Sequence, residues 1–206
     1  MRIRPITPTV VLALALAGAL LLTACSPAEQ APAERGGAAA TAPDGSAELE
    51  ELSRTDVRTV IDRLNRAPLD ERDDAVAASI RTDRVVLSDV DGSQVELAMP
   101  DGLTYISFAP YRTQTHDCTF HAPSSCVGEL RNTELQLTIT DLATGETHVD
   151  EKTQTFDNGF VGAWLPRGID AEVVIVVADS EARAVISTVN DDDPTCITTL
   201  PLAERG

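Results

Sequence analysis

The side chains best suited to metal or redox chemistry are concentrated in one short segment, THDCTFHAPSSC, at residues 115–126. Two of the chain's four cysteines and two of its three histidines lie there: Cys118, Cys126, His116 and His121. A third cysteine, Cys196, lies near the C-terminus, and Cys25 belongs to a separate motif described next. An odd number of thiols beside histidines is best explained by binding of a soft metal ion.

The N-terminus has the parts of a bacterial export signal. Two arginines precede an apolar run at residues 10–22, which is too short to predict a membrane span. The tetrapeptide LTAC that ends at Cys25 resembles the lipobox of bacterial lipoproteins. We therefore predict a lipoprotein signal peptide at residues 1–24 and lipidation of Cys25. The mature chain would then be anchored, not inserted, on the extracytoplasmic side of the membrane of the bacterial cell envelope.

Three chemistries compete for the remaining cysteines. A disulfide between Cys118 and Cys126 would stabilise the fold by about 2 to 3 kcal/mol, but it leaves Cys196 unpaired. Zinc is less suitable, because structural zinc sites usually space their cysteines by about two to four residues, whereas seven separate this pair. Cu(I) is soft and accepts three sulfur ligands, so it accounts for an odd number of thiols. The spacing alone favours a disulfide and a metal site equally.

The composition predicts a tether followed by one folded region. Residues 26–48 are rich in Ala, Pro, Gly and Ser and contain no Val, Ile, Leu or aromatic residue, so we predict a disordered tether at residues 25–48. The folded part is then about residues 49–202, which is enough for one domain. The formal net charge of −17 argues against binding of nucleic acid, whose phosphates would be repelled.

The first part of the folded region, residues 49–82, is predicted to be helical. Residues 49–66 have apolar side chains at helical spacing, with Ser53 as the N-cap, and Pro68 ends this helix. A second, weaker helix is predicted over residues 70–81.

The rest of the chain, residues 83–206, is predicted to be rich in β-strands. Two alternating segments, 84–87 and 94–97, flank the turn signal Asp91-Gly92 and indicate a hairpin. Further short strands with polar turns between them are predicted at residues 103–111, 135–140, 148–156, 160–165, 171–178 and 183–189. The predicted fold class is therefore α+β, with an N-terminal helical segment packed with or beside a C-terminal antiparallel β-sandwich-like domain.

Three sequence blocks occur in order in the folded region: YISFAPYRTQTHDCTFHAPSSCVGEL, NGFVGAWLPRG and DDPTCITTLPL. Through them the chain resembles the CueP family of bacterial periplasmic copper-binding proteins over roughly residues 49–202. The resemblance implies that Cys118, Cys126 and Cys196 bind copper. It also implies copper sequestration for tolerance, delivery to exported copper enzymes, and a homodimer. The lipobox and the tether are departures from a soluble relative.

The sequence therefore predicts reversible capture of Cu(I) by the three cysteines, followed by ligand exchange with an acceptor. His116 and His121 are candidate additional ligands; the alternative is that they only form hydrogen bonds near the site. A rival hypothesis is a thiol–disulfide oxidoreductase in which the Cys118/Cys126 pair cycles and Cys196 resolves it. The chain has no Cys-x-x-Cys motif at a helix start to support that rival. We expect no enzymatic activity, and contact with the membrane through the lipid anchor only.

Overall fold

The computed structural model describes residues 45–72 and 75–206, which form two helices and eleven strands. The predicted signal peptide and the predicted lipidation site, Cys25, lie outside the described residues, as does most of the predicted tether. The first helix begins at Gly45, inside the stretch predicted as tether. Within the described residues, neither helix is long and apolar enough to cross a membrane.

Two helices, α1 (Gly45–Ser53) and α2 (Val57–Arg66), take the place of the single helix predicted over residues 49–66. Asp56 is the N-cap of α2, and its carboxylate accepts hydrogen bonds from two backbone N–H groups of that helix at 3.0 and 3.3 Å. Ser53, predicted as the cap, is instead the last residue of α1. The chain turns here because Asp56 satisfies N–H groups that have no partner within the helix.

The second helix predicted over residues 70–81 is wrong, because the chain forms strand β1 (Val76–Ile80) there. Side chains are buried alternately along β1, and the strand pairs antiparallel with β2 (Arg84–Asp89). A run of apolar residues this short fits either a helix face or a strand. Pairing with β2 satisfies the backbone of β1, and the apolar face of the strand packs in the same cluster as both helices, so the strand is formed.

The predicted hairpin is confirmed. Strand β2 pairs antiparallel with β3 (Gln94–Ala98), and Gly92 in the connecting turn has a φ of 86°. Strands β1, β2 and β3 form one sheet in that order.

The remaining strands form two further sheets. They are β4 (Leu103–Tyr111), β5 (Glu134–Asp141), β6 (Thr147–Gln154), β7 (Val161–Pro166), β8 (Asp170–Val177), β9 (Ser180–Ser187), β10 (Cys196–Pro201) and β11 (Ala203–Glu204). One sheet has the order β10-β4-β7, and the other has the order β11-β9-β8-β5-β6. Strand β10 runs parallel to β4, whereas the other pairings are antiparallel. Strands β1, β10 and β11 were not predicted from the sequence.

The sheet containing β4 lies between two hydrophobic cores. On one face, Ile106 and Phe108 pack with buried residues of β5, β8 and β9, which makes a sandwich of two sheets. On the other face, Tyr105 packs with the buried residues of both helices and of β1 and β2. The α+β class with a β-sandwich-like arrangement is therefore confirmed, and β4 is buried along seven consecutive residues because both of its faces are covered.

A third, smaller cluster lies at the end of β4 and contains the cysteines. Ala109, Phe160 and Cys196 are its buried members, and Cys118 and Cys126 pack against them. The loop that carries Cys126 is held close to the turn before β7, because the Gly128 N–H donates to the carbonyl of Asn158 at 2.7 Å. A Cβ atom at Gly128 would lie 2.7 Å from the carbonyl oxygen of Gly159, so only glycine fits this approach.

We expect Gly159→Ala to lower the free energy of unfolding by about 3 kcal/mol, of which left-handed backbone strain is about 1 and collision with Gly128 the rest. Gly159 has a φ of 79°, and its added Cβ would collide with the Gly128 backbone. Gly145→Ala is the matched control, because Gly145 has a φ of 72° but open space around it. Denaturant unfolding of both variants measures the difference, and equal losses would contradict the tight approach of these loops.

Candidate metal centre

The segment carrying Cys118 is joined to the start of β10 by backbone hydrogen bonds. The N–H groups of Thr195 and Cys196 both donate to the carbonyl of Thr119, at 2.9 and 3.2 Å. Cys196 is the first residue of β10 and lies beside Ser107 of the parallel strand β4. These contacts bring a cysteine from the C-terminal part of the chain to the mid-chain loop, although 78 positions separate Cys118 from Cys196.

The three sulfur atoms converge on one point. Cys118 and Cys196 form a disulfide with their Cα atoms 5.6 Å apart, and the free thiol of Cys126 lies 3.6 Å from the sulfur of Cys118. The disulfide considered from the sequence joined Cys118 to Cys126, and the structure corrects that pairing. Sequence spacing suggested the wrong pair because it cannot report the contact between β10 and the loop.

His121 is the buried histidine of the centre, with none of its surface exposed. Its Nε2 atom lies 2.8 Å from Oδ1 of Asn65, and the Asn65 Nδ2 group donates to the carbonyl of Ile61 at 2.9 Å. Since Asn65 uses its amide nitrogen as a donor, its oxygen must accept from Nε2–H of His121. The Nδ1 lone pair is then free and lies 3.9 Å from the sulfur of Cys196.

Asn65 was missed as a functional residue by sequence reasoning. It lies four residues after Ile61 on the buried side of α2, and it is itself buried. A polar side chain among the apolar positions of a helix was the available signal, because buried amides need hydrogen-bond partners.

His116 is exposed at the edge of the same centre. Its ring lies 6.2 Å from the ring of Phe160 between centroids, in an edge-on arrangement. His148, to which the sequence gave no role, lies instead on β6 near Asp141 and Glu146.

Two overlapping sets of three donor atoms result, each with all atoms within 4.8 Å of one another. The outer donor set is His116, Cys118 and Cys126, and the inner donor set is His121, Cys126 and Cys196. Cys126 belongs to both sets. A trigonal site with metal–sulfur bonds of about 2.3 Å, the length for zinc, separates its sulfurs by about 4 Å. The spacing of the sulfurs therefore suits a single ion once the disulfide is reduced.

In the metal-free protein, the surroundings of the centre favour the uncharged forms of Cys126 and His121. Burial is the main cause that raises the pKa of the Cys126 thiol, and a backbone hydrogen bond at Ala122 and then the positive charge of Arg72 partly oppose it. Burial also lowers the pKa of His121 to about 3, with the positive charges of Arg72 and His116 adding to the effect. His121 is therefore neutral over the ordinary pH range, which is the form that binds metals.

Comparison with known proteins places these residues in a described family. A family model described as "Periplasmic copper-binding protein CueP" matches residues 59–201, which include Cys118, Cys126 and Cys196. A solved structure described as "Crystal Structure of S.CueP" matches with a TM-score of 0.69 and 31% identity, over 80% of this chain and 99% of that chain. The search of curated proteins finds no match. Neither the family model nor the solved structure supports the oxidoreductase hypothesis.

We expect the free energy of unfolding to fall by about 1.5 kcal/mol between pH 6.5 and pH 5, because of His121. In the folded protein the pKa of His121 is about 3, so the ring stays neutral, whereas the unfolded chain takes up a proton below the ordinary pKa of 6.5. Acid therefore favours the unfolded state. Denaturant unfolding at several pH values in this range should show the fall in unfolding free energy in the wild type and in His148→Asn. The fall should be absent in His121→Asn. The same fall in His121→Asn would show that the pH dependence does not come from His121.

Proposed function

The chain belongs to the CueP family of periplasmic copper-binding proteins, and we propose that it captures Cu(I) through the thiolates of Cys118, Cys126 and Cys196. The observation that carries this proposal is the meeting of three sulfurs from two distant segments at one point. A soft, monovalent ion suits such a sulfur-rich set, because it prefers thiolates and accepts a low coordination number. Copper is then an ion that the protein binds and passes on, and not a permanent cofactor.

Reduction of the Cys118–Cys196 disulfide is the step that prepares the centre for copper. A dithiol reductant of the cell envelope would supply two electrons and two protons, and would itself become a disulfide. The centre then changes from one free thiol to three. Loss of protons from these thiols accompanies binding, and the charge of the ion favours it.

His121 is our preferred additional ligand. Its Nδ1 atom faces Cys196, its ring is held by Asn65, and it stays neutral. His116 is exposed beside Cys118 and Cys126, so we assign it to the entry and exit of the ion. Passage of copper to an acceptor would proceed by exchange of its sulfur ligands for those of the acceptor, which soft donor atoms would favour.

In the cell, this chemistry would serve copper sequestration and delivery to exported copper enzymes. We propose that the chain is a lipoprotein, anchored through Cys25 on the extracytoplasmic side of the membrane, with residues 25–44 as the tether. A homodimer is part of the same proposal, by resemblance to the family. We assign no catalytic residues.

Cys196→Ser should weaken binding of Cu(I) at least about 100-fold, since loss of a direct ligand should exceed the cost of losing a supporting residue near a metal. Competition between the fully reduced protein and a Cu(I) chelator measures this affinity, and reduction removes any effect of the disulfide itself. Thr198→Ser, a change of a buried residue on the same strand, is the control and should bind as the wild type does. Unchanged affinity in Cys196→Ser would rule out a centre of three sulfurs.

The oxidised protein should bind Cu(I) at least about 100-fold more weakly than the reduced protein, because Cys126 is then the one cysteine of the centre that retains a thiol. Peptide mapping of the oxidised protein should recover Cys118 linked to Cys196. Titration with a thiol reagent should find three reactive thiols after reduction among Cys118, Cys126 and Cys196. Tight binding by protein shown to contain the disulfide would contradict redox control of the centre.

A further inference from the structure

A partly buried arginine beside the centre has hydrogen-bonding capacity that the metal-free protein leaves unused. Arg72 donates from Nη1 to the backbone carbonyl of Cys126 at 3.2 Å. Its Nε and Nη2 atoms are shielded from solvent and have no hydrogen-bond partner among the residues that the structure describes. Shielded N–H groups of a cation that lack a partner are costly, so a negative charge formed beside Arg72 would be stabilised by it.

The charged groups around Arg72 identify where that negative charge would be. The guanidinium of Arg72 touches the backbone of Cys126, and the described groups whose negative charge would favour its charged form are Cys126 and Asp157. The Asp157 carboxylate is already occupied, because it accepts hydrogen bonds from Arg131, Asn132 and the N–H of Leu69. The Cys126 sulfur, which would become a thiolate on binding copper, is therefore the group beside Arg72 that could use its positive charge.

Arg81 is a second arginine with a shielded, unpaired nitrogen atom, but its positive charge lies against an aromatic ring. Its Nε atom is also buried without a hydrogen bond, but its guanidinium lies 3.8 Å from the centre of the Phe120 ring. An aromatic face is a favourable surrounding for a cation. Arg72 has no such ring contact among the described residues, so its requirement for an anion is specific.

We propose that Arg72 is the counter-charge of the loaded copper centre and strengthens the hold of the protein on Cu(I). The inference rests on the proposed function. Three thiolates and one monovalent ion together carry two net negative charges, and these are placed in a cluster that is buried in part, where solvent screens them less than at the surface. Arg72 acts on copper through Cys126 and through the field at the centre, so it is a positioning residue and not a ligand.

The test compares Arg72→Gln with Arg72→Lys in the reduced full-length protein, using Cu(I) and a competing chelator. Arg72→Gln should weaken Cu(I) binding about 100-fold, whereas Arg72→Lys should recover most of the affinity because it keeps the charge. Arg183→Gln is the matched control. It removes the same charge from an exposed arginine on β9 that pairs with Glu172 and Glu181, and it should bind as the wild type does.

A second ion separates an effect of charge from an effect on structure. Cd(II) on the same three thiolates leaves one net negative charge, half that of the copper centre, so Arg72→Gln should weaken Cd(II) binding only about 10-fold. Equal losses for Cu(I) and Cd(II), or no recovery in Arg72→Lys, would overturn the proposal. Failure of the proposed function would appear differently, as a wild-type protein that loses Cu(I) to the chelator, and the counter-charge role would fail with it.

Discussion

The arrangement of the centre depends on Thr195, a buried residue that joins three parts of the chain. Its hydroxyl donates to the carbonyl of Ile80 at 2.6 Å and accepts the N–H of His121 at 3.1 Å. Its carbonyl accepts the N–H of Ser107 at 2.9 Å. Because these groups are buried and paired, displacing the start of β10 would leave several polar groups unsatisfied. The residue that follows, Cys196, is thereby held against the cysteine loop.

Burial gives this centre its chemical character. A low dielectric keeps His121 neutral and discourages ionisation of Cys126 in the metal-free protein, whereas a bound cation would reverse the preference of the sulfurs. The same low dielectric makes the charge of Arg72 effective at short range. Packing against Phe160 and Ala109 therefore does more than stabilise the fold, since it sets which charge states the ligands can adopt.

Much of the fold was predictable where a strand alternates between a buried and an exposed face. Strand β5 and the hairpin of β2 and β3 follow the predicted pattern, because two-residue periodicity and a Gly-containing turn are local signals. The segment of β1 lacks such a signal, since its small apolar residues suit a helix equally well. Its pairing with β2 is a tertiary contact, and this is why the predicted helix was wrong.

The kinds of donor atom follow from the amino-acid sequence alone, since it supplies three thiols and two imidazoles, which suit a soft ion. The three sequence blocks that resemble the family and the lipobox pattern are also visible in the sequence alone. The neighbouring sulfurs, the buried histidine, and the positions of Asn65 and Arg72 beside the centre are apparent only from the folded chain. The physical reason is that the parallel pairing of β10 with β4 joins segments far apart in the chain, and residue spacing carries no information about such contacts.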